Sequence, residues 1–358
     1  MNTKTIYHLS HIDLDGYGCQ LVMSYTPYKL KNYNANYGAE VKQKLDLILE
    51  SIKKNKLPSY ILITDLNLTA DESRWLNNEV NKLNDAKVDV TLTLLDHHGS
   101  GESSSNKYDW YFLDTTRCAT KITYDYTKEH FEFNEPTWMK KMVDVINAVD
   151  LWKMQEVENF EYGKVCMRLV NETRELNRVM FADFDNNYKL SLIKEASIYV
   201  DEVNAPVLLD AKIHSLKKDF FRENIDNTLD NLATKYIVKL LGEVRATHTI
   251  YYKGYKGFLS YGVGNTSIVG NGFLLTYPEY DFIVDVSYRG TMSLRANNKV
   301  NVAQISKEWS NGGGHPNAAG GRIIGFKEQY RYDLVKKQIQ SLIDEKESRA
   351  GDLEYKKD

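Results

Sequence analysis

Five short motifs concentrate the residues able to do chemistry. They are His11-Ile12-Asp13-Leu14-Asp15-Gly16, the lone Asp65 closing an apolar run, Asp96-His97-His98, Asp150 in Asp150-Leu151-Trp152, and the run 312–321, which holds five glycines and His315. Four of the eight histidines fall inside these motifs; His8, His130, His214 and His248 have no comparable neighbourhood and read as structural or surface residues. Taken singly, an Asp after a strand is ordinarily a turn or a helix cap, and paired histidines are ordinarily surface polar groups. Taken together, they would deliver several carboxylates and imidazoles to one place. Uncompensated carboxylates in one pocket repel and raise one another's pKa values, and a bound cation removes that conflict. Imidazole and carboxylate donors without thiolate suit Mn²⁺, Fe²⁺ or Zn²⁺; Mg²⁺ prefers oxygen alone. Five or six such ligands are too many for one catalytic ion. They suit two ions sharing a bridging carboxylate, about 3.5–4 Å apart, the arrangement that serves in-line displacement at phosphorus.

The elements that must position these groups follow from periodicity. Residues 5–9, 60–64 and 88–95 are β-branched, aromatic and apolar runs, as strands buried in a parallel sheet tend to be, and they run on into His11, Asp65 and Asp96. Residues 39–55 and 69–85 read as crossover helices, with Thr69 or Asp71 as a cap for the second. A third helix after Pro136 repeats Trp138, Met139, Met142, Val143, Ile146 and Val149 at three- and four-residue steps and ends at Asp150. In an open parallel sheet, ligands sit beyond the carboxyl ends of the strands, where the motifs fall.

The predicted fold is α/β: a mostly parallel-sheet first domain over 1–185, a helical connector over 186–234, a smaller α+β domain over 235–345, and a frayed charged tail over 346–358. In the second domain, 246–252 with 257–262 and 281–288 with 291–296 read as hairpins around Lys253 to Lys256 and around Arg289-Gly290. Lys and Arg total 46 against 49 Asp and Glu, a net charge of −3. That balance argues against long duplex nucleic acid as a ligand. The absence of an apolar run of membrane-spanning length and of a secretory leader predicts a cytoplasmic protein without membrane attachment. Three scattered cysteines outside any C-x-x-C pair suggest neither a disulfide framework nor a thiolate zinc site.

The H-x-D-x-D-G motif, the strand-terminal Asp65 and Asp96-His97-His98 resemble the DHH phosphoesterase superfamily. Asp150-Leu151-Trp152 is similar to its fourth acidic motif, and 312–321 to the glycine-rich loop of the associated DHHA1 domain. Within the superfamily the layout resembles the oligoribonuclease (nanoRNase, NrnB-like) branch. The resemblance implies His11, Asp13 and Asp65 around one divalent ion and Asp15, Asp65, His97 and Asp150 around another, Mn²⁺ being favoured, with Asp96 orienting the neighbouring ligand His97. His98 would donate to a phosphoryl or leaving oxygen, with Asp65 and Asp96 assisting.

Substrate contacts are expected from the backbone of Gly312, Gly313 and Gly314, from His315, and from the Arg295 guanidinium, which can hold a phosphate through two hydrogen bonds. Thr120, at a helix start, is a further candidate for a phosphate oxygen. The activity implied is two-metal hydrolysis of short oligonucleotides, foremost nanoRNA, to nucleoside 5′-monophosphates. Alternatives are a pAp phosphatase, a linear or cyclic dinucleotide phosphodiesterase, an inorganic pyrophosphatase, which the 312–321 loop disfavours, and a non-catalytic nucleotide sensor. Oligomeric state is not legible.

Overall fold

The computed structural model describes residues 4–354, which fall into two compact units: one of residues up to 174 with 182–220, the other of 175–181 with 221 onward. The first unit runs β1 (Thr5–Ser10), α1 (Leu14–Met23), β2 (Lys29–Asn34), α2 (Ala39–Asn55), β3 (Ser59–Thr64), α3 (Ala70–Asp85), β4 (Val90–Asp96), α4 (Glu102–Ser105), β5 (Tyr111–Leu113), α5 (Ala119–His130), α6 (Met139–Asp150), α7 (Val157–Asn171), α8 (Ala182–Ala196) and α9 (Ala205–Phe221). Its five strands are parallel in the order β2-β1-β3-β4-β5. The chain steps from β1 to β2 on one side and returns through α2 to β3 on the other. A crevice therefore opens between the carboxyl ends of β1 and β3, where a ligand site forms in such sheets.

Alternation along the strands fills both faces. Tyr7, Leu9, Ile61, Ile63, Leu92 and Leu94 pack with Leu45, Ile48, Leu76 and Val80 of α2 and α3. Ile6, Leu62 and Leu95 pack with Met23 of α1 and Ile122 of α5. Thr69 caps α3 in a capping box with Glu72. In this unit two strands were not expected from the sequence, β2 (Lys-Leu-Lys-Asn-Tyr-Asn) and the three-residue β5. Both lie at sheet edges, where polar residues are tolerated and the apolar signal is weak.

The second unit contains α10 (Leu229–Glu243), α11 (Arg245–His248), β6 (Thr249–Tyr252), β7 (Tyr255–Tyr261), α12 (Thr266–Thr276), β8 (Phe282–Val286), β9 (Thr291–Ala296), α13 (Val302–Ser310), β10 (Gly313–His315), β11 (Ala318–Arg322) and α14 (Tyr332–Glu354). Its mixed sheet has the order β10-β11-β9-β8-β7-β6. The first predicted hairpin closes through a two-residue turn, Lys253-Gly254, with both φ positive.

Three expectations are corrected. The stretch 186–234 is no separate connector: α8 and nearly all of α9 cluster with the first unit and α10 with the second. The glycine-rich run is a β-hairpin, β10 and β11, rather than an open loop. Gly314 takes φ +145, and a Cβ there would stand 2.5 Å from the Ala318 carbonyl oxygen, so close strand pairing uses the glycine. Finally, α14 continues helical to Glu354, and residues 355–358 of the expected frayed tail lie outside the described residues.

Candidate functional site

The carboxyl end of β1 turns directly into α1, and the turn requires Gly16. A Cβ there would lie 2.4 Å from the His11 carbonyl oxygen. Asp13 is the N-cap of α1: Oδ1 accepts from the Gly16 N–H at 3.0 Å, while Oδ2 meets His11 Nδ1 at 2.8 Å. Cap and site residue are thus one side chain. Burial would raise the Asp13 pKa, but the hydrogen bond and charge of His11 outweigh it and bring the carboxyl down to about 2.

Asp15, in the first turn of α1, is buried and fixed by the N-terminus of α5. The Ala119 and Thr120 N–H groups donate to its two oxygens at 2.8 and 2.7 Å. The positive end of a helix is a natural seat for a carboxylate. Thr120 is therefore not a phosphate-binding group as expected. It is 1% exposed, and its N–H and hydroxyl both go to Asp15, the latter to the main-chain oxygen at 2.7 Å.

Asp65 follows β3 in a left-handed conformation, φ +57, that non-glycine residues adopt at a cost of about 1–3 kcal/mol. The strained backbone is held by its N–H donating to the Leu95 carbonyl. The side chain lies between two imidazoles, with Oδ1 3.3 Å from His97 Nε2 and Oδ2 3.7 Å from His11 Nδ1. His97 Nε2 also stands 3.6 Å from Asp15 and 3.7 Å from Asp150, which the C-terminal end of α6 supplies. Asp144, on the same helix, instead pairs with Lys121.

The sequence-derived ligand candidates thus converge. Three groups bring ligand atoms within 4.8 Å of one another: His11, Asp13 and Asp65; Asp15, His97 and Asp150; and Asp65, His97 and His98. Asp65 and His97 each belong to two of them. Asp65 Oδ2 and Asp150 Oδ2 are buried without a hydrogen-bond partner, an expensive state for an anionic oxygen unless a cation is to be bound. Burial and the charges of Asp15 and Asp13 push Asp65 well above the usual carboxylate range, and the same causes push Asp150 up to about 8. An all-oxygen-and-nitrogen donor set of shared carboxylates and imidazoles fits divalent cations.

Asp96 differs from expectation. It orients His98, not His97: Oδ1 accepts from His98 Nδ1 at 2.7 Å and from the His98 main-chain N–H at 3.2 Å. Its Oδ2 accepts from the buried Tyr111 hydroxyl at 2.6 Å. Burial opposes ionisation of Asp96, yet these bonds hold its pKa below the ordinary value. Burial likewise lowers His98, and the Asp96 partnership more than reverses that. Tyr111 and Tyr37, whose hydroxyl lies 3.1 Å from His98 Nε2, were both missed. They follow or form the two edge strands that periodicity did not reveal.

In the second unit, Arg295 on β9 registers with Ala318, and Ala318 with His315 on β10. Directly paired residues share a sheet face, so Arg295 and His315 lie on one face two strands apart, roughly 10 Å between backbones. His315 is exposed; Arg295 is half-buried and donates to the Leu294 carbonyl and to Ser267 Oγ at 2.7 Å each. Gly313 lies between Gly312 and Gly314 at the exposed start of β10.

No family model matches the chain. Over 342 residues it is 43% identical to a 3′,5′-cyclic-nucleotide phosphodiesterase of Helicobacter pylori (strain ATCC 700392 / 26695), spanning 94% of this chain and 98% of that protein. It is 22% identical over 348 residues to oligoribonuclease NrnB of Bacillus subtilis (strain 168), spanning 92% of this chain and 78% of that one. A crystal structure of an uncharacterized protein from Helicobacter pylori G27 is 41% identical with a TM-score of 0.88, covering 95% of this chain and 99% of that chain. Among the described residues no helix is long and apolar enough to cross a membrane. Identity sustained over nearly the full length of a phosphodiesterase, in a parallel-sheet domain followed by a second sheet, means that the chain belongs to the DHH/DHHA1 phosphoesterase superfamily and is a hydrolase acting on phosphodiester bonds.

Proposed function

We propose that this phosphodiesterase depends on two divalent ions and opens the 3′,5′-phosphodiester of a small nucleotide, with a 3′,5′-cyclic nucleotide as its first substrate and a nucleoside 5′-monophosphate as product. The observation that carries the metal dependence is the pair of buried, unpartnered carboxylate oxygens on Asp65 and Asp150 among like charges. The substrate class rests on the 43% identical relative and the activity in its name. A second reading, hydrolysis of short oligonucleotides, is favoured by the NrnB relative and by the Arg295 and His315 face, which offers two cationic or hydrogen-bonding groups for a phosphate.

His11, Asp13 and Asp65 would hold one ion, and Asp15, Asp65, His97 and Asp150 the other. Bound there, the ions would supply an activated water and would offset charge on the phosphoryl oxygens. Asp15 is immobilised by two N–H groups of α5 and so holds its place without reorganisation. Asp96 fixes Nδ1 of His98, which directs Nε2 toward the substrate side, where it donates to a phosphoryl oxygen or to the departing ribose oxygen. Mn²⁺ is the ion to test first, beside Mg²⁺, Fe²⁺ and Zn²⁺.

The test is a panel. Chelator-stripped protein is given each ion with cyclic AMP, cyclic GMP, pAp, cyclic dinucleotides and end-labelled RNA and DNA of two to twenty nucleotides. Metal-restored conversion of a cyclic nucleotide to its 5′-monophosphate supports the first reading. Turnover confined to oligonucleotides replaces it with the second, and nucleotide binding without product under any ion overturns both.

A further inference from the structure

Tyr37 is exposed at 41%, yet its position is fixed from below. It sits in the connection from β2 to α2. The buried Ala35 donates its N–H to the Ser10 carbonyl of β1 at 3.0 Å, and the Asn36 N–H goes to the buried Glu40 carboxylate of α2 at 2.9 Å. Gly38 turns the chain at φ +84. What projects from this anchored base is the phenol ring. Its centroid lies 4.9 Å from the His11 ring and 5.9 Å from the His98 ring, the latter edge-on. One side chain therefore leans on imidazoles delivered by two different strands, β1 and β4.

An exposed tyrosine hydroxyl ordinarily bonds to water. This one reaches His98 Nε2 at 3.1 Å and ends a chain of hydrogen bonds running Tyr37, His98, Asp96, Tyr111. Both ring nitrogens of His98 are thereby held, Nδ1 from the buried side and Nε2 from the solvent side. An imidazole tethered at one nitrogen retains freedom to swing about that bond, whereas one tethered at both has a single orientation. Fixing a reacting group before substrate arrives removes an orientational cost from the chemical step.

We propose that Tyr37 is a positioning residue for the phosphodiesterase reaction, its hydroxyl holding the His98 imidazole in orientation before substrate arrives and yielding Nε2 to the phosphate oxygen on binding. The inference rests on the role given to His98 above. Its two consequences separate from that role. Removing the hydroxyl alone leaves the ring packed on His11 and His98, so substrate binding is preserved while the rate of the bound complex falls. The His98 ring also changes its environment in the protein without ligands.

The experiment uses the full-length protein and Tyr37→Phe. Imidazole ¹⁵N resonances are recorded without metal, and steady-state kinetics with Mn²⁺ on whichever nucleotide the wild-type protein turns over. Expected are a displaced His98 Nε2 resonance with the buried His8 resonance unmoved, and kcat lowered about fivefold to tenfold, the worth of one hydrogen bond to a reacting group, with KM within about twofold. An unmoved His98 resonance, or kcat within about twofold of wild type, overturns the proposal. Should wild type itself show no metal-dependent turnover, the functional reading fails, and the resonance alone decides whether Tyr37 holds His98.

Discussion

Replacing Asp150 by Asn should stabilise the metal-free protein while weakening its response to metal. Asp150 titrates near 8 in the folded chain against 3.8 as a free carboxyl, because of burial and its neighbours Asp15 and Asp13. Between those values the folded state binds a proton that the unfolded state has shed. Stability therefore falls as pH rises through the window, by up to about 1.36 kcal/mol per pH unit. Carried from 3.8 to pH 7, the penalty approaches about 4 kcal/mol; the side chain is 23% exposed, and halving for solvent access leaves about 2 kcal/mol. For a unit of this size that corresponds to roughly 4–8 °C in Tm. Asp65 and His98, whose pKa values are also raised, act in the same direction. His97, which burial lowers, opposes them only below its ordinary value of 6.5, and the Asp13 shift lies wholly below 3.8. The assay is calorimetric melting in chelator at pH 5, 6, 7 and 8, repeated with saturating Mn²⁺. Wild-type Tm should decline from pH 6.5 to 8 without metal, Asp150→Asn should melt higher and with a flatter decline, and the ranking should invert with Mn²⁺. A metal-free variant melting at or below wild type at pH 7, or a wild-type Tm rising across that window, would refute the argument from crowded charge.

Asp65→Asn, nearly the same shape, should abolish metal-dependent turnover, a loss of at least about 1,000-fold, because the charge between His11 and His97 disappears; near-normal rates would dispose of a shared ligand. Thr120→Val should destabilise by about 1–3 kcal/mol in denaturant melts, since the buried Asp15 carbonyl loses its donor, and an unchanged midpoint contradicts that. His315→Ala should raise KM for short oligonucleotides while sparing hydrolysis of bis-p-nitrophenyl phosphate. Equal losses on both substrates would assign His315 to the chemical step instead.

The parts of the fold that were legible in the sequence are those where burial dictates residue type. Strands β1, β3 and β4 are inside the sheet and read as apolar runs, and of the two caps the sequence offers for α3, Thr69 and Asp71, it is Thr69 that fills the place. The ligand candidates were legible for a related reason. A parallel sheet delivers every strand end to one edge, so acids terminating separate strands meet without any knowledge of side-chain packing. What failed was whatever depended on tertiary partners. Whether Asp96 would serve His97 or His98 depends on rotamers, and Thr120 looked available because nothing local reveals that Asp15 consumes its donors. Tyr37 was hidden behind β2, whose lysines and asparagines mask it as a strand. Once β2 is placed beside β1 in parallel, the residues following it must emerge at the same edge as His11.

Crystals of metal-free protein soaked in Mn²⁺ and measured at the manganese absorption edge test the central claim most directly. The account predicts two anomalous peaks in the first unit, both in contact with the Asp65 carboxylate, one reached also by His11 and Asp13 and the other by Asp15, His97 and Asp150. A single peak away from Asp65, or none at saturating Mn²⁺, would contradict it.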